Sequence, residues 1–127
     1  MADRAAPESI ESHNPATGEL IWAGKPGDAA AEVAAARAAF PQWAAQPIPY
    51  RIEALRRFAN VVRGRETGFA ELIARETGKP LWEAKTEVTS VINKVEISIE
   101  AYGERTGQTR LDADLGNRVA VRHKPHG

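Results

Sequence analysis

Glu83 and Glu87 stand four residues apart. Paired carboxylates can divide acid and base duty when burial separates their pKa values. Four residues is also one helical turn, and two solvated glutamates on a helix face are the commoner case. Lys79, Lys85 and Lys94 lie close enough in sequence to neutralise them. His123 and His126 form an H-x-x-H pair with Pro125 between them. The segment reads as extended, which turns residues i and i+3 to opposite faces, whereas zinc needs three or four convergent ligands. No metal site is expected. Ser9, Ser12, Ser90 and Ser98 lack the Gly-x-Ser-x-Gly context of a nucleophile elbow. Gly78-Lys79-Pro80 lacks the flanking glycines of a phosphate-cradling loop, and no dinucleotide fingerprint occurs. Trp22, Trp43 and Trp82 could form a ligand platform, although such residues more often anchor a core or an interface. Cysteine is absent, so these residues offer no thiolate nucleophile, no disulfide and no thiolate zinc site.

Composition narrows the classes further. The 127 residues carry 17 Lys and Arg against 17 Asp and Glu. That balance lacks the basic excess with which nucleic-acid binders displace counterions. No apolar run approaches the roughly 18 residues of a membrane-spanning helix. The first residues, Met1-Ala2-Asp3-Arg4-Ala5-Ala6-Pro7-Glu8, hold no apolar leader core, so a cytoplasmic location is expected. The expected partners include neither nucleic acid nor membrane. The length suits one domain.

The elements that would position any site can be read from punctuation and periodicity. Residues 1–9 read as a loose terminus. Asn14-Pro15-Ala16-Thr17-Gly18 is turn chemistry inside a hairpin whose second strand holds Leu20, Ile21 and Trp22. Asp28 is placed to cap a helix from Ala29 to Phe40, with Pro41 as its stop. A second helix is expected from Tyr50 to Val62, with Ile52, Leu55, Phe58, Ala59 and Val62 on one face. A third runs from Thr67 to Glu76, supported by a Glu71–Arg75 pair and ended by Gly78. Pro80 suits the first position of a fourth helix, continuing to Gly103. At 1.5 Å per residue that helix is about 35 Å long. Val88, Val91, Ile92, Val95, Ile99 and Tyr102 give it one apolar stripe, which needs a partner along its length. Gly116-Asn117 reads as a turn and Arg118–Lys124 as a lone strand.

The blocks Asn14-Pro15-Ala16-Thr17-Gly18-Glu19, Ala34-Ala35-Ala36-Arg37-Ala38-Ala39-Phe40, Glu76-Thr77-Gly78-Lys79-Pro80, Glu83-Ala84 and Glu87-Val88 occur in a recognisable order. Together they resemble the N-terminal quarter of the NAD(P)-dependent aldehyde dehydrogenase superfamily, over nearly all of residues 10–127. Trp82-Glu83-Ala84, Thr86-Glu87-Val88, Ile92-Asn93-Lys94, Ile97-Ser98-Ile99, Ala101-Tyr102, Arg105-Thr106-Gly107 and Arg122-His123-Lys124-Pro125-His126-Gly127 fit best one branch of it. That branch oxidises an N-acylated amino-acid semialdehyde in arginine breakdown.

The resemblance implies an α/β fold class. Residues 10–127 would form the first part of an aldehyde dehydrogenase domain, cut before the first nucleotide-binding strand. It places the catalytic Cys, the general base and the nucleotide contacts beyond Gly127, so no catalytic or cofactor-binding residue is expected here. NAD is the cofactor implied for the full-length enzyme, with little binding by this chain, which is expected to be inactive alone. The partners implied are the remainder of the dehydrogenase chain and further copies in a dimer or tetramer, joined through a small β part. In related enzymes the long helix borders the substrate entrance, which puts Glu87 and Val91 near its lining. The rival reading is a self-standing helical module that binds dehydrogenase subunits. A lone terminal strand would suit such a module poorly, because its unpaired edge invites aggregation.

Overall fold

The computed structural model describes residues 9–106, 109–112, 118–121 and 123–126. Two antiparallel two-stranded pieces flank four helices, an α/β arrangement. Strand β1 (Ile10–His13) pairs with β2 (Leu20–Gly24) in the register Ile10 to Gly24, with an irregularity at Ser12/His13. Their turn is built by Asn14. Its carbonyl accepts from the Gly18 N–H at 2.7 Å, its side-chain Oδ1 accepts from the Ala16 N–H at 2.9 Å, and Gly18 takes φ 73°.

Helix α1 (Ala29–Ala45) starts as expected, with Asp28 Oδ1 accepting from the N–H groups of Ala30 at 2.9 Å and Ala31 at 3.1 Å. It does not stop at Pro41, which lies inside it. A proline's φ is helical, and its cost there is one lost backbone bond and local crowding. The effective stop is Pro47, which forces Gln46 into an extended conformation with ψ 142°. No residue of α1 is buried.

Helices α2 (Ile48–Arg63), α3 (Glu66–Thr77) and α4 (Leu81–Arg105) form the packed body. Helix α2 begins two residues earlier than expected, because Pro49 is tolerated in a first turn. Pro80 caps α4 from outside, with ψ 141°, rather than occupying its first helical position. The α4 stripe finds its partner in α2 and α3. Ala59 and Val62, Ala70, and Ala84, Val88, Ile92 and Val95 make the buried core. Ala70 and Ala84 are both 0% exposed, and such small side chains let helices approach closely. Leu55 and Phe58, expected on the buried face of α2, stay exposed. Arg56 ties α2 to α4 through a two-pronged ion pair with Glu96, at 2.8 and 3.0 Å. The hydrogen bond and the charge of Glu96 hold the Arg56 guanidinium above its ordinary value, and Arg56 holds the Glu96 carboxyl below its own.

The hairpin docks on the end of α3. Trp22 Nε1 donates to the Glu76 carboxylate, Arg75 lies 3.7 Å from Glu19, and Pro15 packs against Gly78. Two sequence blocks about sixty residues apart therefore meet, Asn14–Glu19 against Glu76–Pro80. The Glu71–Arg75 pair expected within α3 gives way to Arg75–Glu19, a partner that only the tertiary fold supplies.

Hydrogen bonds from Ser12 and then Trp22 hold the Glu76 carboxyl below the usual carboxylate range. A depressed folded-state pKa contributes stability above the unfolded value and loses it as pH falls through the folded one. The docked hairpin is therefore expected to loosen in acid below the usual glutamate range. The Trp22 indole N–H resonance followed against pH checks this. Glu76→Gln should flatten the acid-linked change while keeping an acceptor for the indole.

Strand β3 (Thr109–Asp112) pairs antiparallel with β4 (Arg118–Val121), Thr109 opposite Val121. The expected lone strand is thus shorter than Arg118–Lys124 and has a partner. This removes the objection that an unpaired terminal strand raised against a self-standing module. The expected turn at Gly116-Asn117 and most of the expected loose terminus lie outside the described residues.

Candidate functional site

Glu87 and Val91 lie one turn apart on α4, flanking the fully packed Val88. The three residues form one wall of a groove of about 310 Å³. Phe58 and Val62 from α2 and Phe69 and Ile73 from α3 form the others. The groove exists because the buried stripe of α4 is narrower than its apolar surface. Val88 fills the junction, while Val91, Phe58 and Phe69 remain 48%, 51% and 39% exposed around it. Glu87 is the one residue of that lining that carries a charge.

Lys79 stands in the short link between α3 and α4 and reaches back to both glutamates of the spaced pair. Its Nζ donates to Glu87 Oε1 and lies 3.9 Å from Glu83 Oε1. The Lys79 side chain is only 22% exposed, against 46% for each glutamate. The hydrogen bond to Glu87, with the charge of both glutamates behind it, holds the Lys79 ammonium above the ordinary lysine value. The pair Glu83/Glu87 is therefore a clamp on a cation. The site as a whole is an apolar slot with one ion pair at its rim, suited to holding an aliphatic chain and steering what enters.

The other sequence candidates are dispersed. Trp22 is engaged by Glu76, and Trp82 is 69% exposed at the start of α4. Trp43 lines a separate cleft between α1 and the segment holding Pro125 and His126. The three tryptophans therefore form no single platform. His123 and His126 are both exposed. Among the described residues, no cluster of three or more His, Cys, Asp or Glu side chains could hold a metal ion. Among the described residues no helix is long and apolar enough to cross a membrane. Phe58, Phe69 and Ile73 had no signal marking them as groove walls, because α2 and α3 meet there only through packing on α4. The Glu83/Glu87 pair is legible in the sequence, but of the three lysines expected to neutralise it, Lys79, Lys85 and Lys94, only Lys79 comes within ion-pair distance.

The family model described as aldehyde dehydrogenase family matches residues 2–127. The chain is 59% identical over 120 residues to the N-succinylglutamate 5-semialdehyde dehydrogenase of Sphingopyxis alaskensis, covering 94% of this chain and 25% of that protein. It is 61% identical over 118 residues to the protein of the same name from Novosphingobium aromaticivorans, covering 93% and 25%. The chain spans about a quarter of the length of these curated relatives. A solved structure of 3,6-anhydro-L-galactose dehydrogenase in complex with NAP matches with a TM-score of 0.76 and 29% identity. That match covers 91% of this chain and 24% of the other.

Proposed function

The chain belongs to the aldehyde dehydrogenase family, and from that premise we propose that it forms one wall of the path by which an aldehyde reaches the catalytic centre of a larger enzyme. The whole enzyme is proposed to oxidise N-succinylglutamate 5-semialdehyde to N-succinylglutamate in arginine catabolism, with NAD as oxidant, as a cytoplasmic homo-oligomer. The names of the relatives support the substrate. The observation that carries the role of this segment is that Glu87 and Val91 share one apolar groove.

The residues described here do not fit a dinucleotide. The 127 residues hold no glycine-rich fingerprint, and the groove's 310 Å³ lies at the lower end for even a drug-sized ligand. They also hold no thiol for nucleophilic attack on an aldehyde. This segment is therefore assigned binding and steering, and no bond-making. The side chains of Phe58, Phe69, Val88 and Val91 would desolvate the aliphatic part of a substrate, and the Lys79–Glu87 pair would define the rim.

A graft tests the reading, with residues 1–127 replacing the matching segment of the Sphingopyxis alaskensis relative. Val91→Trp in that graft puts an indole where the groove opens. It is expected to raise KM for the semialdehyde about tenfold, because crowding a formed slot costs roughly 1–3 kcal/mol. The kcat should change much less, the mark of an effect on entry and binding. A KM unchanged by Val91→Trp would remove the groove from the substrate path and favour the helical interaction module.

A further inference from the structure

We propose that Lys79 is a specificity-determining positioning residue: by tethering Glu87 it holds that carboxylate off the apolar groove, and so lets an aldehyde that carries carboxylates pass. This rests on the reading that the groove lies on the substrate path. The seven residues lining the groove include one ionisable group, Glu87. A glutamate on the wall of an apolar slot presents two faces, its methylene stem and its carboxylate. In this structure the carboxylate is bound to Lys79 Nζ, and the stem is left to line the groove with Val88 and Val91.

Lys79 is itself held in place. It follows Gly78, whose left-handed conformation (φ 73°) turns the chain out of α3, and its N–H lies 3.4 Å from Thr77 Oγ1. Glu83, one turn before Glu87 on α4, brings its Oε1 to 3.9 Å from the same ammonium. The Lys79 side chain is the least exposed of the three, which restricts where the ammonium can go.

The consequence is electrostatic. With Lys79 present, the group of Lys79, Glu83 and Glu87 carries one net negative charge, and the charge of Glu87 is met by the ammonium it binds. Without it, a mobile glutamate would stand at the mouth of a low-dielectric slot and repel any anion approaching within a few ångströms. A semialdehyde built from a succinyl and a glutamyl unit carries two carboxylates and would feel that repulsion. An uncharged aldehyde of the same length would not. Lys79 thus acts through Glu87 and need not touch the substrate.

The test compares Lys79→Gln with the double variant Lys79→Gln/Glu87→Gln in the graft described above, using N-succinylglutamate 5-semialdehyde and the neutral aldehyde hexanal. Lys79→Gln is expected to raise KM for the dianionic substrate about tenfold, with hexanal and both kcat values within about twofold. The effect should shrink at high salt, because a rim charge is screened. The double variant should bring the anionic KM back to within about twofold of the starting value, since the repelling carboxylate has gone. A merely structural role for Lys79 would weaken both substrates alike and would not be rescued by removing Glu87; either result overturns the proposal. Val91→Trp separates the two levels. If it raises KM while Lys79→Gln shows no anionic selectivity, the groove stays on the path and only the role of Lys79 falls. If Val91→Trp changes nothing, the path itself is elsewhere.

A second readout uses the 127-residue chain alone and needs no catalysis. Methyl resonances of Val88 and Val91 are titrated with hexanoate and with 1-hexanol. Lys79→Gln should weaken hexanoate several-fold and leave 1-hexanol within about twofold, and the double variant should restore hexanoate. Equal effects on both ligands, or no effect on either, would count against the proposal.

Discussion

Gly78→Val is expected to destabilise the chain by about 2–5 kcal/mol and to release the hairpin from α3. Two costs combine. Gly78 has φ 73°, where an L residue pays about 1–2 kcal/mol and a β-branched one more. A Cβ at this position would also stand 2.8 Å from Pro15 Cγ, well inside contact distance, and overpacking of that kind costs roughly 1–3 kcal/mol. Urea unfolding gives the sum, and Trp22 fluorescence reports the hairpin. Gly78→Ala in a Pro15→Ala background separates the parts, because removing the ring relieves the contact and leaves the backbone cost. A loss below about 0.5 kcal/mol for Gly78→Val would mean that the turn and the helix end do not meet as described.

Ala84→Leu should be comparably damaging for a different reason. Ala84 is 0% exposed and belongs to the same core cluster as Ala70, also 0% exposed, on the facing helix. Three added carbons have no space to enter, so α3 and α4 must separate or the leucine must leave its rotamer wells. The expected cost is about 1–3 kcal/mol, paid in the packing of the whole body because Val88 and Ile92 follow on the same stripe. Trp82→Ala, two residues away on the 69% exposed side of the same helix, should stay within about 0.5 kcal/mol. Similar losses for the two variants would show that the packed face of α4 has been assigned wrongly.

These two sites show where local sequence signals suffice and where they do not. The hairpin and all four helices were legible, because Asn14–Gly18, Asp28, Gly78 and the stripe from Val88 to Val95 are local signals whose effect on the backbone is close to independent of the rest. Pro41 misled because a proline's cost in a helix is finite, and the next proline, at 47, supplies the stop. Strand β3 was missed because four residues, Thr109–Asp112, are too short for alternation to stand out, and only pairing with β4 defines them. Helical spacing pairs Arg75 with Glu71, while its charge goes to Glu19, a partner brought in by the docking of the hairpin.

The candidate site divides in the same way. The Glu83 and Glu87 spacing is legible, and neutralised carboxylates agree with the geometry, but spacing alone does not choose Lys79 over Lys85 and Lys94 as the cation. The expectation that Glu87 and Val91 line an entrance rests on family resemblance, not on chemistry readable in the residues themselves; the structure places both on one groove. Phe58 was expected on a buried face and instead forms a groove wall, because the core of α2 is confined to Ala59 and Val62. Grooves of this kind arise from what packing leaves uncovered, and periodicity does not encode that.

The role proposed for this segment is to shape a substrate path and leave the bond-making to the rest of a larger enzyme. The most direct test follows NADH formation from N-succinylglutamate 5-semialdehyde and NAD, for the purified 127-residue chain and for the graft into the Sphingopyxis alaskensis relative. No turnover is expected from the chain alone, and semialdehyde oxidation is expected from the graft. Turnover by the 127-residue chain itself, which holds no thiol, would contradict that role.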